Sequence, residues 1–173
     1  RAPAGVSPVV AVVVTNPDAS TWTAAPPVAG FVYRLVQVDA TTGNSYAPDV
    51  APDGNGTVHV VWREESGTWS SGTHAIQHRR STDNGRTWSA TTILATVTIS
   101  TGSPWVGAPV VAVRGANVFV AWVRGAPNAT TGTVQTLPWF ASSTDGGQTF
   151  STAAQLGSFA PASGAWSGTC EVA

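Results

Sequence analysis

The chain contains one cysteine, Cys170, and no methionine, and its eight basic residues are all arginine because lysine is absent. A single cysteine excludes a disulfide within the chain. Cys170 is interpreted either as a small buried hydrophobic side chain or as an intermolecular link near the chain end. Charged residues make up only 10% of the sequence, against roughly 25% in typical soluble domains.

The low charge also excludes two classes of partner. The formal net charge is −1 at pH 7, so the sequence predicts neither a basic face for nucleic acid nor a polybasic membrane patch. No apolar run approaches the roughly 18 residues of a membrane-spanning helix, so membrane insertion is not expected. Because the sequence starts at Arg1 without an initiator methionine, we expect a processed or truncated product. These features together favour a secreted protein, located outside the cell or on its surface.

An eight-residue motif occurs twice, at residues 81–88 and 143–150, with a spacing of 62 residues. Both copies read Ser-Thr-Asp-x-Gly-x-Thr-aromatic. Asp caps backbone N–H groups and Gly accepts a positive φ, so the motif predicts a tight turn between two strands, with the aromatic ring inserted between neighbouring strands. The positions that we assign to this turn are Ser81, Asp83, Gly85, Thr87, Trp88, Ser143, Asp145, Gly147, Thr149 and Phe150.

The repeat extends beyond the motif and is made of short β-strands. The matching segments are 47–51 with 108–112, 58–62 with 118–122, and Trp105 with Trp166. Alternation and short Val-rich runs between turn residues predict strands, and helical periodicity is absent. The predicted strands cover residues 8–15, 30–38, 47–51, 57–63, 74–81, 87–94, 108–113, 117–124, 136–143, 149–156 and 168–173. Each full unit is therefore predicted to be a four-stranded antiparallel sheet.

The motif resembles the Asp-box, or BNR repeat, of sialidase-like β-propellers, and the chain looks like a non-catalytic bacterial secreted member. The resemblance implies an all-β fold of four-stranded antiparallel propeller blades. A partial degenerate blade is expected at 1–44, Asp-box blades at 45–106 and 107–167, and the first strand of a further blade at 168–173. A propeller typically has four to eight blades, about 240 residues or more, so other chains or missing blades would complete the ring.

A catalytic sialidase would need further residues, by the same resemblance. Such enzymes place the first of three substrate-gripping arginines in a Tyr/Phe-Arg-Ile-Pro motif that opens the first inner strand. The aligned residues 46–49 read Tyr-Ala-Pro-Asp, with Ala47 at the arginine position. We therefore expect no catalytic residue in this chain, and we expect the aspartates of the boxes to act in folding.

Other polar residues are interpreted as structural. Glu64 and Glu65 are adjacent on a strand and so point to opposite faces, which favours solvated edge charges over a carboxylate pair. His59, His74 and His78 have no metal-ligand spacing with the cysteine, so neither a metal nor a cofactor is expected. His59 aligns with a phenylalanine of the next unit, which predicts a packed position on its strand.

Tryptophans divide into two groups. One group occupies equivalent strand positions in the two units, where Trp62 aligns with Trp122 and Trp88 aligns with Phe150. These three tryptophans are interpreted as packing residues. Trp69 and Trp105, beside Arg63 and Arg124, are the candidate ligand-binding residues, because sugars and protein partners stack on flat aromatic rings. An alternative for Trp105 is a wedge between adjacent blades, since it recurs in the next unit.

These observations favour a non-catalytic secreted Asp-box repeat protein that acts in extracellular recognition or in surface or filament assembly. Its expected partners are other protein chains, either further copies or missing blades, with a glycan as a further ligand. The alternatives are a fragment of a sialidase-like glycoside hydrolase and a carbohydrate-binding module. Sequons for N-glycosylation begin at Asn55 and Asn128, and they would carry glycan only in a source that glycosylates secreted proteins.

Overall fold

A computed structural model of the chain describes residues 12–13, 36–38, 43–68, 71–99, 105–127 and 134–157. These residues form β-strands and no helix, so the predicted all-β class is confirmed. The strands are β1 (Val12–Val13), β2 (Val36–Gln37), β3 (Asn44–Pro52), β4 (Val58–Thr68), β5 (Ser71–Ser81), β6 (Thr92–Ile99), β7 (Trp105–Val106), β8 (Val110–Arg114), β9 (Asn117–Pro127), β10 (Val134–Ser143) and β11 (Ala154–Gln155). Within these ranges, no helix is long and apolar enough to cross a membrane.

Strands β3, β4, β5 and β6 pair in chain order as an antiparallel sheet, called sheet 1 below. The β3–β4 turn is closed by Asp53, whose carboxylate accepts hydrogen bonds from the amides of Asn55 (2.7 Å) and Thr57 (2.9 Å). A short polar side chain that binds amides two and four residues later favours a turn over continued strand. Sheet 1 is therefore an up-and-down sheet of four consecutive strands.

Sheet 2 repeats this order. Strand β9 pairs with β10 and β10 with β11, while β7 and β8 lie one after the other along the free side of β9. The first strand of this unit is thus split into two segments. Strands β1 and β2 form a separate two-stranded parallel pair.

The structure corrects the bounds of the fourth strand in both units. In the second unit it is predicted at 149–156, but β11 covers only Ala154–Gln155. The fourth strand of the first unit was expected at 87–94, but β6 runs from Thr92 to Ile99. Residues 88–91 leave the sheet because Trp88 packs against Val60 and Trp62, and the Ser89 amide donates to the Arg80 carbonyl (2.8 Å). The predicted strand at 168–173 lies outside the described residues.

Sheets 1 and 2 stack face to face around a hydrophobic core. Its fully or largely buried members are Val61, Ile76, Val97 and Ile99 from sheet 1, and Val106, Val111, Val118, Val120, Trp122 and Ala141 from sheet 2. Side chains alternate between the two faces of a strand. On β4, Val61 therefore contacts sheet 2, while Val60 and Trp62 point the other way and pack against Val38.

Each sheet thus has two distinct faces. We call one of them the leading face. It carries Val60 and Trp62 in sheet 1, and Val120 and Trp122 in sheet 2. The opposite side is the trailing face. Sheet 2 packs its leading face on the trailing face of sheet 1, and the leading face of sheet 1 packs on Val38, which precedes it in the chain. The two sheets therefore face in the same direction along the stack.

Candidate functional site

The first motif folds into a turn held by its own side chains. The Ser81 hydroxyl donates to Asp83 Oδ1 (2.7 Å) and accepts from the amides of Asp83 (3.2 Å) and Gly85 (2.7 Å). Across the turn, Thr87 donates its amide to Asp83 Oδ1 (2.8 Å) and its hydroxyl to Asp83 Oδ2 (2.7 Å). The turn between β5 and β6 is therefore closed by four residues of the motif.

The second motif builds the same turn between β10 and β11. The Ser143 hydroxyl donates to Asp145 Oδ1 (2.7 Å) and accepts from the Gly147 amide (2.9 Å). Thr149 donates its amide to Asp145 Oδ1 (3.0 Å) and its hydroxyl to Asp145 Oδ2 (2.6 Å). The repeated sequence thus forms a repeated set of hydrogen bonds, in which Ser143, Asp145, Gly147 and Thr149 take the roles of Ser81, Asp83, Gly85 and Thr87.

These hydrogen bonds also determine the charge of the two carboxyl groups. The amide and then the hydroxyl of Thr87 lower the pKa of Asp83 well below its usual range, with a further contribution from Ser81. The hydroxyl and then the amide of Thr149 do the same for the pKa of Asp145. A general acid needs a pKa near the working pH. Both carboxylates remain ionised at neutral pH and act as acceptors within the turn.

The aromatic residue that ends each motif packs on the leading side of its own sheet. Trp88 contacts the cluster formed by Val38, Val60 and Trp62 on the leading face of sheet 1. Phe150 packs against the core between sheets 1 and 2, and its ring lies edge-on to His78 with centroids 4.8 Å apart. Each motif therefore joins its own sheet to the neighbour on the leading side.

A buried histidine pair lies on the trailing face of sheet 1. His59 and His78 are 1% and 0% exposed, and His59 Nδ1 lies 3.0 Å from His78 Nε2. Gly147 of the second motif covers both rings: a Cβ there would lie 2.8 Å from His59 Cε1, and its φ is +75°. Glycine fits both constraints because it has no Cβ and accepts a positive φ. Sequence reasoning placed His59 correctly as a packed residue, but it missed the pair.

Electrostatics keep this pair neutral. Burial, together with the neighbouring His59 and Arg80, lowers the pKa of His78 to about 3. Burial also lowers the pKa of His59, although the Asp53 carboxylate opposes this shift. Arg80 donates from Nη1 to the Gly146 carbonyl (3.3 Å) and so fastens the second motif to sheet 1.

Arg63, a candidate ligand-binding residue, makes its contacts within the protein. Its Nη2 lies 2.8 Å from Glu65 Oε1, its Nη1 donates to the Val106 carbonyl (3.0 Å), and its guanidinium lies over the Tyr46 ring at 5.1 Å. The side chain is only 14% exposed. Arg63 therefore joins sheet 1 to sheet 2 across the interface.

Two further candidate binding residues, Arg124 and Trp105, also make contacts within the protein. Arg124 lies over the Trp139 ring at 5.2 Å. The Trp105 indole lies against Gly125 and Gly107, where any side chain would overlap a neighbouring group. The indole therefore packs on the paired strand β9 of its own sheet. Three predicted residues, Trp69, Asn128 and Cys170, lie outside the described residues, and Asn55 is exposed in the β3–β4 turn.

The interpretation of Glu64 and Glu65 as solvated charges is wrong: they are 6% and 5% exposed. They do point to opposite faces. Glu64 Oε2 accepts from the Ser45 hydroxyl (2.6 Å) and Trp62 Nε1 (3.2 Å), whereas Glu65 pairs with Arg63. Burial is tolerated because these hydrogen bonds and the ion pair replace water.

A direct link between the first strands of the two sheets was also missed. The Asp49 carboxylate accepts a hydrogen bond from the Val111 amide (2.8 Å), joining β3 to β8. The repeat unit has Val110 at the position of Asp49. This departure from the repeat is the only sequence signal that could have marked Asp49.

Among the described residues, no group of three or more His, Cys, Asp or Glu side chains could hold a metal ion. No family model and no curated protein matches the sequence. The fold and the two turns define an all-β repeat protein in which successive antiparallel sheets stack in one direction.

Proposed function

We propose that the chain is a non-catalytic Asp-box repeat protein that acts outside the cell in recognition or assembly. One observation carries this proposal: the functional groups that would serve chemistry make their contacts inside the fold. The carboxylates of Asp83 and Asp145 are held within their turns, and Arg63 bridges the two sheets. The rest of the described structure is a repeated sheet unit in a chain with only 10% charged residues.

The proposal includes a propeller arrangement, with sheets 1 and 2 as consecutive blades. Three features support it: the two sheets share one strand order, they carry the same turn between third and fourth strands, and they face in the same direction. The Asp49–Val111 hydrogen bond brings their first strands together. A stack in which every sheet uses the same two faces can continue until it closes into a ring.

A sialidase-type glycosidase is the main alternative. Tyr46, Arg63 and Glu65 do lie together, and Tyr46 is 37% exposed. A substrate carboxylate would have to reach the guanidinium of Arg63, which is largely buried between Glu65, Tyr46 and the Val106 carbonyl. The arrangement therefore favours a structural ion pair over a substrate clamp.

Turnover of a fluorogenic sialoside by the purified chain tests the proposal. We expect no turnover above the buffer rate, with an active sialidase as the positive control. An Arg63→Ala variant separates a real activity from contamination, because turnover that disappears in this variant would belong to this chain and overturn the proposal.

A further inference from the structure

The sequence contains two Asn-Gly dipeptides, Asn55-Gly56 in the β3–β4 turn and Asn84-Gly85 in the turn of the first motif. In such a pair the backbone nitrogen of the glycine can attack the side-chain amide carbon of the asparagine, because glycine has no Cβ to obstruct the approach. The two dipeptides carry the same reacting groups. Any difference in their reactivity must therefore come from the turns that hold them.

The turn of the first motif restrains Asn84-Gly85. The Gly85 amide donates to the Ser81 hydroxyl oxygen (2.7 Å), and the Asn84 amide donates to the Gly56 carbonyl (2.8 Å). Gly85 is also buried. For an attack on the Asn84 side chain, the Gly85 nitrogen would have to leave the Ser81 oxygen and the turn would have to rotate. The hydrogen bonds that close the motif therefore also protect its asparagine.

The β3–β4 turn leaves Asn55-Gly56 free to react. Asn55 is exposed, and within the described part of the chain neither its side chain nor the Gly56 amide makes a hydrogen bond. The Asp53 carboxylate accepts from the amides of Asn55 and Thr57, on either side of Gly56, but not from Gly56 itself. No hydrogen bond of the attacking nitrogen therefore has to break before the reaction.

We propose that Asn55 is a modification site, at which Gly56 drives spontaneous deamidation in the folded protein, while Asn84 is protected. The Gly56 nitrogen gives up its proton to base in the solvent and forms a bond to Asn55 Cγ. The side-chain nitrogen takes up a proton and leaves as ammonia, which gives a five-membered succinimide. Water then opens this ring at either carbonyl, so that position 55 becomes aspartate or isoaspartate. No oxidant or reductant is needed.

The product changes the turn in two ways. Either form adds a carboxylate close to Asp53, which already uses its own carboxylate to close the turn. Isoaspartate also adds a methylene to the main chain directly before Gly56, whose carbonyl accepts the Asn84 amide. We therefore expect modification to loosen the contact between the β3–β4 turn and the first motif. Because Asn55 also begins a sequon, a glycan there would block the reaction.

Peptide mass spectrometry of the full chain, produced without glycosylation and incubated in mildly alkaline buffer, tests this proposal. Cleavage after arginine separates the two sites, with Asn55 in the peptide 35–63 and Asn84 in the peptide 81–86. We expect a mass gain of about 1 Da in the first peptide, located at residue 55 by fragmentation. In the folded chain this gain should appear about tenfold or more faster at Asn55 than at Asn84. In urea both sites should react at similar rates, because the turns are lost.

The Ser81→Ala variant tests the protection directly. Without the Ser81 oxygen the Gly85 amide has no acceptor, so the rate at Asn84 should rise toward the rate at Asn55. Thr82→Ala changes an exposed neighbour and should leave both rates unchanged, and circular dichroism checks that each variant folds.

Equal rates at the two sites of the folded wild type would overturn the proposal. The same holds for a folded chain that resists at Asn55 while the urea-treated chain reacts, and for an unchanged rate at Asn84 in folded Ser81→Ala. None of these outcomes bears on sialoside turnover, which tests the proposed function separately.

Discussion

His59 Nδ1 lies 3.0 Å from His78 Nε2 in the interface between the two sheets, with Gly147 of the second motif packed over both rings. One ring must donate and the other must accept, so at least one imidazole has to be neutral. The equivalent positions in sheet 2 are Phe119 and Phe140. The histidine pair therefore occurs in sheet 1 and is not repeated in sheet 2.

This pair predicts that the protein loses stability in mild acid. The pKa of His78 falls from 6.5 to about 3 on folding, so the unfolded chain binds more protons than the folded one between these values. The contribution of the neutral His78 to the free energy of unfolding is complete above pH 6.5 and is lost as the pH falls toward 3. We expect the free energy of unfolding to drop by about 2 kcal/mol between pH 7 and pH 4.5, measured by urea denaturation.

A double variant, His59→Phe with His78→Phe, provides the control by giving sheet 1 the residues of sheet 2. Its stability should depend less on pH over the same range, whatever its absolute stability. The aspartates of the motifs contribute little over this range, because their carboxyl groups titrate near pH 3.8 even in the unfolded chain and at still lower pH when folded. An equal drop in the double variant would show that other groups cause the acid sensitivity.

The turn chemistry gives a second prediction. Ser81 is 1% exposed and its hydroxyl accepts from two amides, so Ser81→Ala leaves the buried Gly85 amide without its acceptor. We expect a loss of about 1–3 kcal/mol in thermal or urea denaturation. Ser143→Ala should behave alike, because its hydroxyl makes the same bonds. Thr82→Ala changes an exposed neighbour and should have little effect; a comparable loss there would contradict the assignment.

Local chemistry explains what could be predicted from the sequence. Ser81, Asp83 and Thr87 act within one turn, so their spacing alone indicates the hydrogen bonds they make. The Val-x-Val-x-Trp runs likewise predict strands with one buried face, and Trp62 and Trp122 are indeed fully buried.

Contacts between distant strands could not be predicted in this way. The His59–His78 pair depends on the register of β4 with β5, and its cover by Gly147 depends on how sheet 2 stacks. Glu64 and Glu65 were misjudged for the same reason. Ser45 becomes a partner of Glu64 only when β3 pairs with β4. Arg63 lies two residues before Glu65 on one face of β4, so alternation could have indicated that ion pair, but its burial depends on the second sheet.

The link between the first strands gives a third prediction. Asp49→Ala removes the acceptor of the Val111 amide, and we expect a loss of about 1–3 kcal/mol in the free energy of unfolding. Asp49→Asn keeps an oxygen acceptor of nearly the same shape and should lose less. Equal losses in both variants would show that the carboxylate charge, and not the hydrogen bond, stabilises the junction.

The packing of Trp105 gives the last prediction. A Cβ at Gly125 would overlap the indole, and Gly125 is buried, so Gly125→Ala should force the ring out at a cost of about 1–3 kcal/mol. Trp105→Ala alone should also destabilise the fold. In the double variant the overlap is gone, so its loss should be clearly smaller than the sum of the two single losses, which urea denaturation of all four proteins measures. A ligand-binding tryptophan that does not pack on the strand would give additive losses. Coupling between positions 105 and 125 therefore separates packing on the strand from a free binding surface without any knowledge of a ligand.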